Sequence, residues 1–240
     1  MRATLLILMT LTAITGCYNK ATDMPTATQS KGTQTTPVAG TYTYLALGDS
    51  YTIGESVSQS GSFPFQLKMQ LGTSGFSVSD PKIIAVTGWT TANLINAIAQ
   101  ANMNGQHYGF VTLLIGVNNQ YEGLSQTTYR TEFVQLLNTA IALAGNKQKV
   151  FVLSIPDYSV TPFAATSDKA KIADQINQFN NINLYESTQA GVHYLDITTI
   201  SRQATTDATL IAYDGLHPSA KMYALWVGQL SLQVQGLLGK

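Results

Sequence analysis

Five short apolar runs punctuate this chain: 42–47, 82–86, 110–115, 150–155 and 192–197. They are near-continuous rather than alternating, so both faces of the sheet they form must be covered. Helix-like stretches separate them, at 65–71, 91–103, 128–144 and 168–190, with a last one from Pro218 to Leu237. The stretch 128–144 is the clearest, with Phe133, Leu136, Leu137 and Ile141 on one face and Gly145 placed as a C-cap. Parallel strands need long crossovers, and helices supply them. The pattern predicts an α/β fold over residues 41–240: a three-layer α/β/α sandwich around a five-stranded parallel sheet, for which a flavodoxin-like order 2-1-3-4-5 is expected because it makes the ends of the first three runs neighbours.

The N-terminal residues read differently. Met1-Arg2 gives a short positive start, and Ala3–Ile14 is apolar apart from interspersed threonines. Residues 1–16 therefore read as an export signal peptide. Ile14-Thr15-Gly16-Cys17 resembles a bacterial lipobox, which implies acylation of Cys17. This is the chain's one cysteine, and a lone exported thiol has no internal disulfide partner. Residues 17–40 are rich in Thr, Ser, Gln and Pro and read as a flexible tether behind the lipidated cysteine. The expectation is a membrane-anchored lipoprotein on the periplasmic or cell-surface side. Net charge is +0 with 11% charged residues and no basic stripe, which argues against a nucleic-acid partner.

In an open parallel sheet, ligands bind beyond the carboxyl ends of the strands where strand order reverses. The first run ends in Gly48-Asp49-Ser50, the second is followed by Gly88, and the third by Gly116-Val117-Asn118-Asn119. The loop after the fifth carries Asp214-Gly215-Leu216-His217-Pro218 to the same rim. A serine hydroxyl attacks poorly until a base accepts its proton, and a histidine of reference pKa near ~6.5 suits that task. A carboxylate three residues before the histidine can fix its tautomer. Of the chain's three histidines, His107 falls in a helix-to-strand loop and His193 inside a strand, where structural roles are expected. Asp157 and Asp196 also fall near strand ends and are rivals to Asp214.

These blocks resemble the SGNH (GDSL-type) hydrolases: Gly48-Asp49-Ser50-Tyr51-Thr52, then Gly88, then Gly116-Val117-Asn118, then Asp214-Gly215-Leu216-His217-Pro218. The resemblance runs from residue 43 to about 238. It implies that Ser50, Asp214 and His217 form a catalytic triad, and that the Ser50 and Gly88 backbone N–H groups and the Asn118 amide form an oxyanion hole. Asn119 stands where many members have Asp, and Tyr51 where many have Leu, a change in the pocket wall. Asp49 is expected to tie the nucleophile turn together, and Trp89 and Tyr121 are candidates for substrate contact.

The Gly-x-Ser-x-Gly elbow is absent, since position 52 is Thr. Neither metal-ligand spacing nor Gly-x-Gly-x-x-Gly is present, so no metal or cofactor is expected. The expected function is hydrolysis of carboxylic esters through an acyl-enzyme, by a lysophospholipase-like or general acyl esterase. A carbohydrate O-acetyl esterase is the alternative, and a non-catalytic glycan- or lipid-binding lipoprotein is the alternative outside the enzymes.

Overall fold

A computed structural model of the chain describes residues 40–239. The expected signal peptide, Cys17 and nearly all of the expected tether lie outside the described residues. Five strands, β1 (Tyr44–Gly48), β2 (Lys82–Ala85), β3 (Phe110–Leu114), β4 (Val150–Leu153) and β5 (His193–Leu195), form one parallel sheet. Their order is β2-β1-β3-β4-β5, the order expected. All residues of β1, β3 and β4 are buried, in keeping with their unbroken apolar runs.

Helices α2 (Phe63–Thr73) and α8 (Ala220–Leu238) pack against each other. Phe63 meets Tyr223 and Trp226 there, with Trp226 wholly buried. A second group comprises α3 (Thr91–Gln100), α5 (Gln126–Ala144) and α6 (Lys169–Ala190), with α5 touching both others. Tyr129 of α5 stacks on Phe133 and packs against Phe179 of α6. Gly145 and Gly191 end α5 and α6 in the left-handed conformation (φ +67° and +70°), as their sequence positions suggest. Among the described residues no helix is long and apolar enough to cross a membrane.

Three short helices follow strand ends and have no hydrophobic periodicity to announce them: α1 (Ser50–Ile53), α4 (Val117–Tyr121) and α7 (Thr198–Ser201). The strands are also shorter than their apolar runs. Residues such as Ile115 and Ile155 stay buried after sheet pairing has ended. Pro218 lies one residue before Ser219, the N-cap of α8, so it precedes the helix rather than opening it.

Register decides where the site lies. Gly48 pairs with Ala85 on one side and with Leu114 on the other, so β1, β2 and β3 finish level. The residues that follow those ends emerge side by side. Gly48 itself has no space for a side chain: a Cβ would stand 2.3 Å from the Leu114 carbonyl oxygen and 2.1 Å from the Thr52 hydroxyl. Gly48→Ala should cost about 1–3 kcal/mol through overpacking against backbone that cannot retreat. Urea unfolding of the two proteins, with the same m value, checks this.

Candidate active site

The turn from β1 into α1 delivers Ser50. Asp49 is the N-cap, and its Oδ1 accepts from the Tyr51 backbone N–H at 3.0 Å. This is ordinary capping chemistry placed at the end of a buried strand. Asp49 is wholly buried, and its Oδ2 is without a hydrogen-bond partner. Burial pushes its carboxyl from the ordinary 3.8 up to about 7, against the backbone donors of Tyr51 and Gly116 that pull it down. The acid beside the serine is thus a structural cap, as the sequence suggests.

Across the rim, Asp214 and His217 face each other within one tight loop. Gly215 between them has φ +75°, and the Leu216 and His217 backbone N–H groups donate to Asp214 Oδ1 at 2.9 and 3.0 Å. Asp214 Oδ2 lies 2.5 Å from His217 Nδ1. A carboxylate can only accept, so Nδ1 carries a proton, and in the neutral ring Nε2 then holds the lone pair. Burial raises the Asp214 carboxyl, but donors from Ser56, His217 and the loop backbone outweigh it and hold the group well below the usual carboxylate range. The His217 ring is buried and meets the edge of Tyr51 at 5.7 Å between centroids.

Ser50, Gly88, Asn118 and His217 line one cavity of about 180 Å³. Its walls are Tyr51, Val117, Tyr121, Tyr158, Phe163 and Leu216, with no charged side chain apart from whatever charge His217 carries. Asn118 Nδ2 donates to the Trp89 carbonyl at 2.9 Å, which fixes the amide's orientation and leaves its second N–H free to turn toward the cavity. Gly88 adopts φ +84°, and its backbone N–H donates to no turn or loop carbonyl among the described residues. An added Cβ there would meet nothing within 4 Å. The requirement for glycine is therefore the backbone conformation itself, not crowding.

The sequence-derived residues divide as follows. Ser50, Gly88, Asn118, Tyr121 and His217 come together at the cavity, with Asp214 behind His217. Trp89 does not line it; the ring is half-buried against the core, and its carbonyl carries the contact to Asn118. Asn119 is buried and bridges to α3, accepting from the Thr91 N–H at 3.0 Å and donating to the Thr91 hydroxyl at 2.6 Å. The rival acids are occupied elsewhere. Asp157 accepts from Arg202 Nε at 2.8 Å, and Asp196 caps the turn at Thr198 and Thr199. His193 stacks on Phe151 at 4.7 Å, inside the sheet. Phe163 escapes a motif-based reading, although it falls beyond a strand end, where the topology puts the rim; Leu216 lies inside the Asp214–Pro218 block, which assigns it no role of its own.

A serine, a carboxylate-held histidine and amide donors at the switch point of a 2-1-3-4-5 sheet describe an ester hydrolase of the α/β/α class. A family model described as the GDSL-like Lipase/Acylhydrolase family matches residues 46–225, and the chain belongs to that family. No curated protein sequence matches it.

Solved structures share the fold at low identity. The family 3 carbohydrate esterase of Clostridium thermocellum is 21% identical with a TM-score of 0.65, covering 82% of this chain and 97% of that one. The psychrotrophic esterase EstA from Pseudoalteromonas sp. is 15% identical at TM-score 0.61, covering 83% and 100%. Est24, a carbohydrate acetylesterase from Sinorhizobium meliloti, is 15% identical at TM-score 0.61, covering 82% and 99%.

Asp49 also makes a prediction about stability. Between about pH 4 and 7 the folded protein holds a proton on Asp49 that the unfolded chain releases. Its contribution to stability therefore falls as pH rises through that window and is level above it. Asp49→Asn should lose that component, making the slope of unfolding free energy against pH less negative by up to one proton equivalent. Denaturant titrations at a series of pH values measure it.

Proposed function

We propose that the chain hydrolyses carboxylic esters through an acyl-enzyme on Ser50. The observation that supports this most directly is the Asp214–His217 pair, whose imidazole shares one cavity with Ser50, Gly88 and Asn118. In this reading His217 Nε2 accepts the Ser50 proton as Oγ attacks the acyl carbonyl. Asp214 stabilises the imidazolium that forms and stays ionised throughout. The tetrahedral oxyanion takes hydrogen bonds from the Ser50 and Gly88 backbone N–H groups and the free N–H of Asn118. His217 then protonates the leaving alcohol, and on deacylation draws a proton from water.

The substrate reading is an acyl ester of the lysophospholipase-like or general esterase kind. Support comes from the walls: Tyr51, Val117, Tyr121, Tyr158, Phe163 and Leu216 offer apolar and aromatic surface. A carbohydrate O-acetyl esterase is the second reading. Two observations favour it: the cavity is small, and Tyr121 and Phe163 are 61% and 47% exposed with centroids 6.1 Å apart, a surface on which a sugar ring can lie. We also propose that the chain is exported and held at a membrane through lipid on Cys17, on the strength of the Ile14-Thr15-Gly16-Cys17 motif.

Ser50→Ala should abolish ester hydrolysis and labelling by a fluorophosphonate probe while leaving the fold intact. Asn118→Ala should lower kcat by ~10²–10³ with KM less affected, the usual result of losing one oxyanion donor. A series of p-nitrophenyl acetate, butyrate, hexanoate and laurate selects the substrate class. Rates that peak beyond acetate support the acyl esterase; a sharp preference for acetate, with acetate release from acetylated glycans, supports the carbohydrate reading instead.

For the anchor, Cys17→Ser should leave activity unchanged and move the protein from the membrane fraction to the soluble one. Unchanged membrane retention refutes the lipid anchor.

A further inference from the structure

His217 is oriented by Asp214, and Asp214 is in turn oriented by four donors. Three come from its own loop: the Leu216 N–H, the His217 N–H and His217 Nδ1. The fourth is the Ser56 hydroxyl, which donates to Asp214 Oδ2 at 2.6 Å from a position 158 residues away in the chain. It reaches the same carboxylate oxygen that holds the imidazole. Of the four, Ser56 alone connects the histidine loop to another part of the molecule.

Ser56 belongs to the segment that leaves the Ser50 helix. The Gly54 and Glu55 backbone N–H groups both bond the Ser50 carbonyl, at 3.1 and 3.0 Å. Glu55 Oε2 accepts from the Thr87 hydroxyl at 2.5 Å, one residue before Gly88. Three consecutive residues thus touch the serine turn, the Gly88 turn and the acid of the histidine pair.

Ser56 also has φ +65°. Apart from glycines, Asn102 is the one other described residue with positive φ, and serine is not among the residues that favour this region. A glycine would satisfy the backbone better. What a glycine lacks is the hydroxyl, and that hydroxyl makes one hydrogen bond, to Asp214. Backbone held in an uncommon conformation beside a site, where the surroundings over-determine it, is the pattern expected of a functional constraint.

We propose that Ser56 is a positioning residue: its hydroxyl ties the Asp214–His217 pair to the Ser50 helix and so sets the placement and basicity of the imidazole. This rests on the reading of Ser50 and His217 as nucleophile and base. Ser56 does not line the cavity and acts through Asp214. By taking up part of the negative charge on Oδ2, it restrains how strongly Asp214 stabilises the imidazolium. The ionisable neighbours are Tyr51, whose edge meets the His217 ring, Tyr158, which lines the same cavity, the buried Tyr223, on which the Asp214 charge acts, and Glu55, which is held by Thr87.

Ser56→Gly separates the alternatives, because it relieves the backbone while deleting the donor. A residue present for its turn alone predicts a glycine variant at least as stable and fully active. Positioning predicts equal or greater thermal stability together with a roughly tenfold fall in kcat/KM at neutral pH, the scale of one hydrogen bond to a charged group. The loss should fall on kcat more than on KM. The acidic limb of the pH profile should move to higher pH, because an unshared Asp214 charge makes His217 more basic. Ser56→Asn, which tolerates positive φ and keeps a donor, should recover part of the activity. Ser50→Ala is assayed in parallel with p-nitrophenyl esters. An active Ser50→Ala overturns the reading of the site and this inference with it. An inactive Ser50→Ala beside a Ser56→Gly with wild-type kcat/KM and an unmoved acidic limb overturns the inference alone.

Discussion

At the end of β1 the backbone of Gly48 runs so close to the Leu114 carbonyl and the Thr52 hydroxyl that no side chain fits between them. That approach lets β1 and β3 finish at the same height, with the α1 turn folded directly over the strand end. Ser50 is two residues beyond Gly48, and Asn118 is four beyond Leu114. With β2 ending level on the other side, Gly88 follows Ala85 by three. The relative positions of Ser50, Gly88 and Asn118 are therefore consequences of sheet register. Register in a sheet buried on both faces is costly to change, since a one-residue slip exchanges what each face presents.

The two carboxyl groups nearest this chemistry show how environment divides similar residues. Asp49 is enclosed with one oxygen unpartnered, and burial drives it toward the neutral form. Asp214 sits in a more open loop and receives donors at both oxygens, which favour the charged form. A permanently ionised partner is what a histidine base requires, and a carboxylate beside the serine would compete for that role if it were exposed. Burial removes Asp49 from the competition and leaves it to cap α1.

The legibility of the sequence follows the same physics. Strands buried on both faces leave unbroken apolar runs, so the sheet and the long helices could be read directly, whereas the strand order follows only from requiring the ends before Ser50, Gly88 and Asn118 to be neighbours. The site blocks were legible where chemistry requires a particular residue type, as at Ser50, Asn118, Asp214 and His217. Short helices such as α1 and α4 were not, because four or five residues carry no period. Trp89 shows a different limit: aromatic character and position suggested a pocket wall, whereas its backbone carbonyl makes the contact and its ring packs inward. Ser56 and Phe163 left no signal, since a serine in a loop and an aromatic after a proline are both common.

The two halves of the site are held by different means. Ser50, Gly88 and Asn118 follow strand ends in the sheet, whose pairing fixes them. Asp214 and His217 lie on a long connection between β5 and α8, where no strand pairing reaches beyond the isolated bridge of Ile211 with Pro218. Loops of this kind supply mobility as readily as function. Here individual hydrogen bonds take the place of a ladder: Ala212 N–H to the His217 carbonyl at 2.7 Å, Ser219 N–H to the Leu210 carbonyl at 2.8 Å, and Phe163 N–H to the Gly215 carbonyl at 2.9 Å. The last of these joins the His217 loop to the segment that carries Phe163. If His217 is to take a proton from Ser50, as proposed, a histidine delivered by a loop needs ties to a serine delivered by the sheet, and each such tie is a point at which their geometry can be tuned without changing either residue.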